Sequence, residues 1–130
     1  MTRVTLLLIL SLALLFVPAS ALAKHGDDNG RQEVRVAGTC GKGATARLRL
    51  RSRDGAIRAQ LEIDHARSGQ RWRVSLVQER RVVYRGRVRT QLGRFEIERR
   101  LGDLPGADRV TARAVGPRGL TCVAAATLPG

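Results

Sequence analysis

From residue 33 to the C-terminus, apolar and polar side chains alternate in almost every stretch between turns, and no other feature limits the fold of this chain so strongly. A strand sends successive side chains to opposite faces, so alternation gives it one apolar side and one wet side. Val34 and Val36 alternate with Glu33 and Arg35, and Ala46, Leu48 and Leu50 with Arg47, Arg49 and Arg51. Ile57, Ala59, Leu61 and Ile63 alternate with Arg58, Gln60, Glu62 and Asp64. The same pattern runs through Arg71–Leu76, Val82–Arg89, Arg94–Glu98, Arg109–Ala114 and Leu120–Leu128. No stretch keeps helical spacing. The expected class is therefore all-β: about eight short strands in a two-sheet antiparallel sandwich with wet outer faces.

Turn chemistry sets the expected registers. Asp54-Gly55 is a strong two-residue hairpin signal. It places Leu50 opposite Ala59, Leu48 opposite Leu61, Ala46 opposite Ile63, Arg47 opposite Glu62 and Arg51 opposite Arg58. A turn at Glu79-Arg80-Arg81 pairs Trp72 with Val88, Val74 with Gly86 and Leu76 with Tyr84, so that the Trp72 ring covers the bare Gly86. A turn from Thr90 to Gly93 predicts a third hairpin, with Val88 opposite Phe95 and Gly86 opposite Ile97. Gly116-Pro117-Arg118-Gly119 predicts a fourth, with Ala112 opposite Cys122. The expected core holds Trp72, Leu48, Leu61, Ile63, Tyr84 and Phe95. The last hairpin, Val110 to Ala126, resembles that of immunoglobulin-like and fibronectin type III-like modules, which implies their general two-sheet architecture.

The N-terminus reads as an export signal. Arg3 precedes an apolar run from Leu6 to Val17, closed by Pro18, and Ala19-Ser20-Ala21-Leu22-Ala23 offers two small-x-small cleavage sites. The run is shorter than the ~20 residues a membrane-spanning helix needs. The expected division is a signal peptide at 1–23, a flexible polar tail at 24–32 and one domain at 33–130, with no stable membrane span after cleavage. The mature chain then begins at Lys24, or at Leu22 if the earlier site is cut. Its two cysteines, Cys40 and Cys122, predict a disulfide joining the terminal strands, in keeping with an extracellular or cell-envelope exterior location.

Nothing in the pattern points to catalysis, a cofactor or a metal. His25 falls in the tail, and His65 lies at a strand end with no nucleophile singled out beside it. Asp27 and Asp28 match no calcium loop. The sequence reads as non-enzymatic. What stands out is charge: 24 Lys and Arg against 11 Asp and Glu give +13, which becomes +12 once Arg3 leaves with the signal. The expected registers gather Arg71, Arg73, Arg85, Arg87, Arg89 and Arg94 on one outer face, with Glu96 and Glu98 offsetting Arg87 and Arg85. Arg71, Arg73, Arg87, Arg89 and Arg94 are the candidate polyanion-binding residues. Arg47, Arg49, Arg51 and Arg58 form a second cluster. Guanidinium forks suit phosphate and carboxylate, so the expected partners are anionic polymers of the cell envelope or extracellular space. The alternative is a protein partner bound through the loops, as by a secreted inhibitor or structural module. Sequence-specific nucleic-acid reading is not expected, because no recognition helix exists and the three mature aromatics point inward.

Overall fold

A computed structural model describes residues 32–130. The expected signal peptide, and the expected tail up to residue 31, lie outside the described residues.

The alternation resolves into nine strands. They are β1 (Glu33–Ala37), β2 (Thr39–Cys40), β3 (Thr45–Arg53), β4 (Ala56–Asp64), β5 (Arg71–Gln78), β6 (Arg81–Arg89), β7 (Phe95–Gly102), β8 (Asp108–Val115) and β9 (Thr121–Leu128). They form two antiparallel sheets, a four-stranded one in the order β1-β3-β4-β7 and a five-stranded one in the order β2-β9-β8-β5-β6. The architecture is the expected all-β sandwich. The first strand is broken at Gly38, so β1 joins one sheet and β2 the other. The run β9-β8-β5-β6 follows the G-F-C-C′ order of variable-type immunoglobulin sheets. The four-stranded sheet departs from that plan, because β4 folds straight back on β3 as a hairpin.

The Asp54-Gly55 turn sets the register expected of it, with Leu50 opposite Ala59 and Arg47 opposite Glu62. Both turn residues have positive φ, as a twisted two-residue hairpin requires. The β5–β6 pairs also fall as expected, Trp72 opposite Val88 and Leu76 opposite Tyr84. The loop itself is only Glu79-Arg80, both at positive φ, and a register shift between Leu76 and Val77 restores the parity. The Glu79 carboxylate braces this turn by accepting from the Arg109 amide at 2.7 Å.

Three expected pairings and contacts are overturned, and Tyr84 is less buried than expected. The Thr90–Gly93 turn makes no third hairpin: β7 pairs with β4, placing Phe95 opposite Ile63 and Ile97 opposite Leu61, while β6 remains an edge of the other sheet. The chain crosses between sheets here because the turn is bound to the loop at 66–70. Thr90 Oγ1 donates to the Arg67 carbonyl and accepts from the Gln70 amide, and the Gly93 amide donates to Ser68 Oγ. In the last hairpin, Cys122 faces Ala114 and Ala112 faces Ala124, two residues from the expected register. The tight 3-10 turn at Pro117–Gly119 causes this shift by letting the strands pair from Val115 and Thr121. Finally, Gly86 is covered by Tyr84: a β-carbon on Gly86 would lie 2.0 Å from the Tyr84 hydroxyl. Trp72 instead packs on Gly116.

The core lies between the sheets. Leu48, Leu50, Leu61 and Ile63 from one face meet Trp72, Leu76, Val110 and Leu128 from the other, all buried. Trp72 and Phe95 bridge the layers with ring centroids 5.7 Å apart and planes tilted by 59°. Tyr84 is only half-buried, at the open side of the sandwich. Cys40 and Cys122 lie opposite each other on β2 and β9 and are disulfide-bonded across 82 residues. Closing a loop of that length removes on the order of 4–5 kcal/mol of chain entropy from the unfolded state.

Candidate functional site

The outer face of the five-stranded sheet follows from its alternation. Burying Trp72, Val74 and Leu76 of β5 forces Arg71, Arg73 and Ser75 outward. On β6, Arg85, Arg87 and Arg89 take the outward positions. Pairing then sets rows across the strands: Arg71 opposite Arg89, Arg73 opposite Arg87 and Val115, and Ser75 between Arg85 and Arg113. Neighbouring strands stand ~4.8 Å apart and successive rows ~6.7 Å apart. The Arg73–Arg87 row and the Arg85–Ser75–Arg113 row border an open groove of about 620 Å³ lined by Arg73, Val74, Ser75, Arg85, Gly86, Arg87, Arg113 and Val115.

No outward position of β5, β6, β8 or β9 carries Asp or Glu. Among the described residues, Arg71, Arg73, Arg85, Arg87, Arg89 and Arg113 make no ion pair. Glu33, Glu62 and Glu98, which pair with arginines, lie on the four-stranded sheet. On the four-stranded sheet, Glu33 takes hydrogen bonds from Arg35 (2.6 Å) and Arg49. Glu98 pairs with Arg58 at 2.8 Å and with Arg51 at 3.9 Å. The hydrogen bonds from Arg49 and Arg35 hold the Glu33 carboxyl at about 2, well below its ordinary 4.5. The hydrogen bond from Arg58 likewise lowers Glu98. The Arg47–Arg58 cluster is thus largely matched by acids, whereas the face of β5, β6 and β8 is not.

Four of the five candidate arginines, Arg71, Arg73, Arg87 and Arg89, come together as the hairpin register requires. The fifth does not. Arg94 sits in an isolated bridge with Gln91 and pairs with Glu62 at 3.5 Å on the other sheet, because β6 and β7 belong to different layers. For the same reason Glu96 and Glu98 face Glu62 and Gln60 of β4, and leave Arg87 and Arg85 uncompensated. Arg113 is absent from the sequence-derived set. Its outward parity was legible, but its place beside Ser75 depends on the long-range pairing of β5 with β8.

His65 is exposed, with Nδ1 3.1 Å from the Thr45 hydroxyl, and Asp64 bonds to the His65 backbone and not to its ring. Asp108 is buried and accepts from Gln78 Nε2 (2.9 Å) and from the Leu104 amide (3.3 Å). Its hydrogen bond to Asp103 pushes the Asp103 carboxyl up. Among the described residues no group of three or more His, Cys, Asp or Glu is placed to hold a metal ion. Compared with known protein families, curated proteins and solved structures, the chain matches none.

Proposed function

We propose that this protein is a secreted, non-enzymatic binding module that takes anionic polymers of the cell envelope or extracellular space on the outer face of its five-stranded sheet. One observation carries the reading: Arg71, Arg73, Arg85, Arg87, Arg89 and Arg113 share that face with no outward carboxylate, while Glu33, Glu62 and Glu98 of the opposite sheet are already paired. Like charges held together on a sheet repel one another, and a polyanion relieves that cost. Export is supported by the N-terminal pattern and by the Cys40–Cys122 disulfide, a bond that persists in oxidising compartments. No helix among the described residues is long and apolar enough to cross a membrane.

Retention on an immobilised phosphate-bearing polymer tests the reading. Wild-type protein binds tightly at low salt and is released as salt rises, since binding frees counterions. Replacing Arg71, Arg73 and Arg89 by Gln lowers the salt needed for release. Release of both proteins at the same salt clears these arginines of a binding role. For the exported protein, a mass beginning at Lys24 or Leu22 supports secretion, and an intact Met1 counts against it.

A second reading rests on Leu92, which is 94% exposed on the turn that Thr90 and Gly93 anchor to the loop at 66–70. A fixed apolar side chain in water suits a protein partner. Capture of one protein that salt does not disrupt and Leu92→Ser abolishes favours this reading.

A further inference from the structure

The spacing of the arginine rows, together with the shape of the groove, selects among polyanions. We infer that the face takes a linear phosphodiester polymer, extended along β5 and β6 with one phosphate per arginine row. This inference rests on the polyanion-binding reading above and adds the class of polymer.

Along β6, Arg85, Arg87 and Arg89 recur at every second residue, and on β5 Arg73 and Arg71 continue the same rows. The repeat between rows is two extended residues, which contain six backbone bonds and span about 6.6–7.2 Å. A phosphodiester chain with a three-carbon spacer also has six bonds from one phosphorus to the next: P–O, O–C, C–C, C–C, C–O and O–P. Its extended charge repeat is therefore commensurate with the arginine repeat. A polysaccharide with one carboxylate per disaccharide places two sugar rings between charges, so it falls out of step with the rows.

The groove agrees with a tetrahedral anion. Its lining includes Ser75, a small side chain with a hydroxyl donor, flanked by Arg85 on β6 and Arg113 on β8, with Arg73 and Arg87 in the next row. A planar carboxylate presents both oxygens in one plane, where a single guanidinium fork can satisfy it. Donors arriving from three strands suit the oxygens of a phosphate, whose lone pairs point in several directions. The monomer is not read: aromatic side chains are absent from the outward positions of these strands, so no base or ring stacks here.

The test uses synthetic propanediol phosphodiester oligomers with one, two, three or six phosphates, and a matched series in which a much longer glycol spacer separates the same phosphates. Binding of labelled oligomers is followed by fluorescence anisotropy. Affinity for the propanediol series rises steeply up to three phosphates and then levels off. The salt slope for the trimer is about −2, as expected for three contacts on a flexible strand. The long-spacer trimer binds at least about tenfold more weakly, and Ser75→Val and Arg113→Gln lower affinity for the propanediol trimer alone. Equal affinity for the two spacers overturns the phosphodiester inference while leaving a general polyanion-binding face intact. Failure of every polyanion to bind removes both. Oligothymidylate binding more than about tenfold tighter than the propanediol oligomer of equal length overturns the backbone-only reading, because base stacking supplies energy of that size. Binding to phosphatidylglycerol vesicles without binding to the oligomers overturns it in favour of a membrane surface.

Discussion

The guanidinium of Arg99 lies over the ring of Tyr84, 4.3 Å from its centroid. Tyr84 belongs to β6 and Arg99 to β7, the edge strands of opposite sheets, so this contact closes the side of the sandwich where the two layers come nearest to solvent. Arg99 falls on the inward parity of β7, yet it is exposed, so its guanidinium covers the Tyr84 ring while remaining in water.

A double-mutant cycle on this pair measures the closure. Arg99→Ala and Tyr84→Leu each destabilise the domain, and their coupling is about 0.5–1 kcal/mol in urea unfolding, the size of an exposed cation–π contact. Strict additivity would place the two side chains out of contact.

Trp72 is fully buried with its ring against Gly116, where a β-carbon would sit 2.7 Å from the indole. An enclosed ring has nowhere to move, so Gly116→Ala costs about 1–3 kcal/mol through overpacking. Gly102 has nothing within 4 Å of its would-be β-carbon. Gly102→Ala is therefore neutral, or stabilising by up to about 1 kcal/mol through a less flexible unfolded chain. Equal costs at the two sites in thermal unfolding would contradict this packing.

Two carboxyls bend the pH profile in opposite directions. Glu33 is lowered in the folded state from 4.5 to about 2, so its stabilisation is complete above pH 4.5 and is lost as the pH falls to about 2. Glu33 is open to solvent, which keeps the effect below ~1 kcal/mol, and Glu33→Gln flattens the acid limb. Asp103 is raised by its hydrogen bond to Asp108, so the folded state loses stability as the pH climbs through the Asp103 titration. Asp103→Asn keeps a donor beside Asp108 and removes one charge, and it raises the unfolding midpoint at neutral pH with little change in acid. A lower midpoint at neutral pH would contradict the carboxyl–carboxyl contact.

The β3–β4 and β5–β6 pairings were legible in the sequence, whereas the register of the last hairpin and the long-range pairings were not. The Asp54-Gly55 register could be read because a two-residue turn leaves one way for Leu48 to meet Leu61, and a slip of one residue would turn every apolar side chain outward. The β5–β6 pairing could be read for the same reason, even though a bulge shortened its loop. Alternation is identical whether a strand folds back on its neighbour or crosses to the other sheet, since both arrangements bury one face. Nothing in Thr90–Arg94 therefore signalled the crossing, which depends on bonds from Thr90 and Gly93 to residues some twenty positions earlier. The candidate face was affected in the same way. Its β5–β6 arginines followed from a hairpin, Arg94 was misplaced by a hairpin that does not form, and Arg113 awaited a partner strand far along the chain.

The central claim is that the position of the arginines, and not the total charge, makes this a binding face. Two variants of equal net charge separate the alternatives: Arg73, Arg87 and Arg113 to Gln on the five-stranded sheet, and Arg47, Arg53 and Arg100 to Gln on the outward positions of the other. The measurement is the affinity of each for a phosphodiester polymer across a series of salt concentrations. The first variant loses at least about tenfold in affinity at low salt and its salt slope becomes shallower by about 1, while the second stays within about twofold of wild type. Equal losses in the two variants would show that net charge alone attracts the polymer, and would contradict the account.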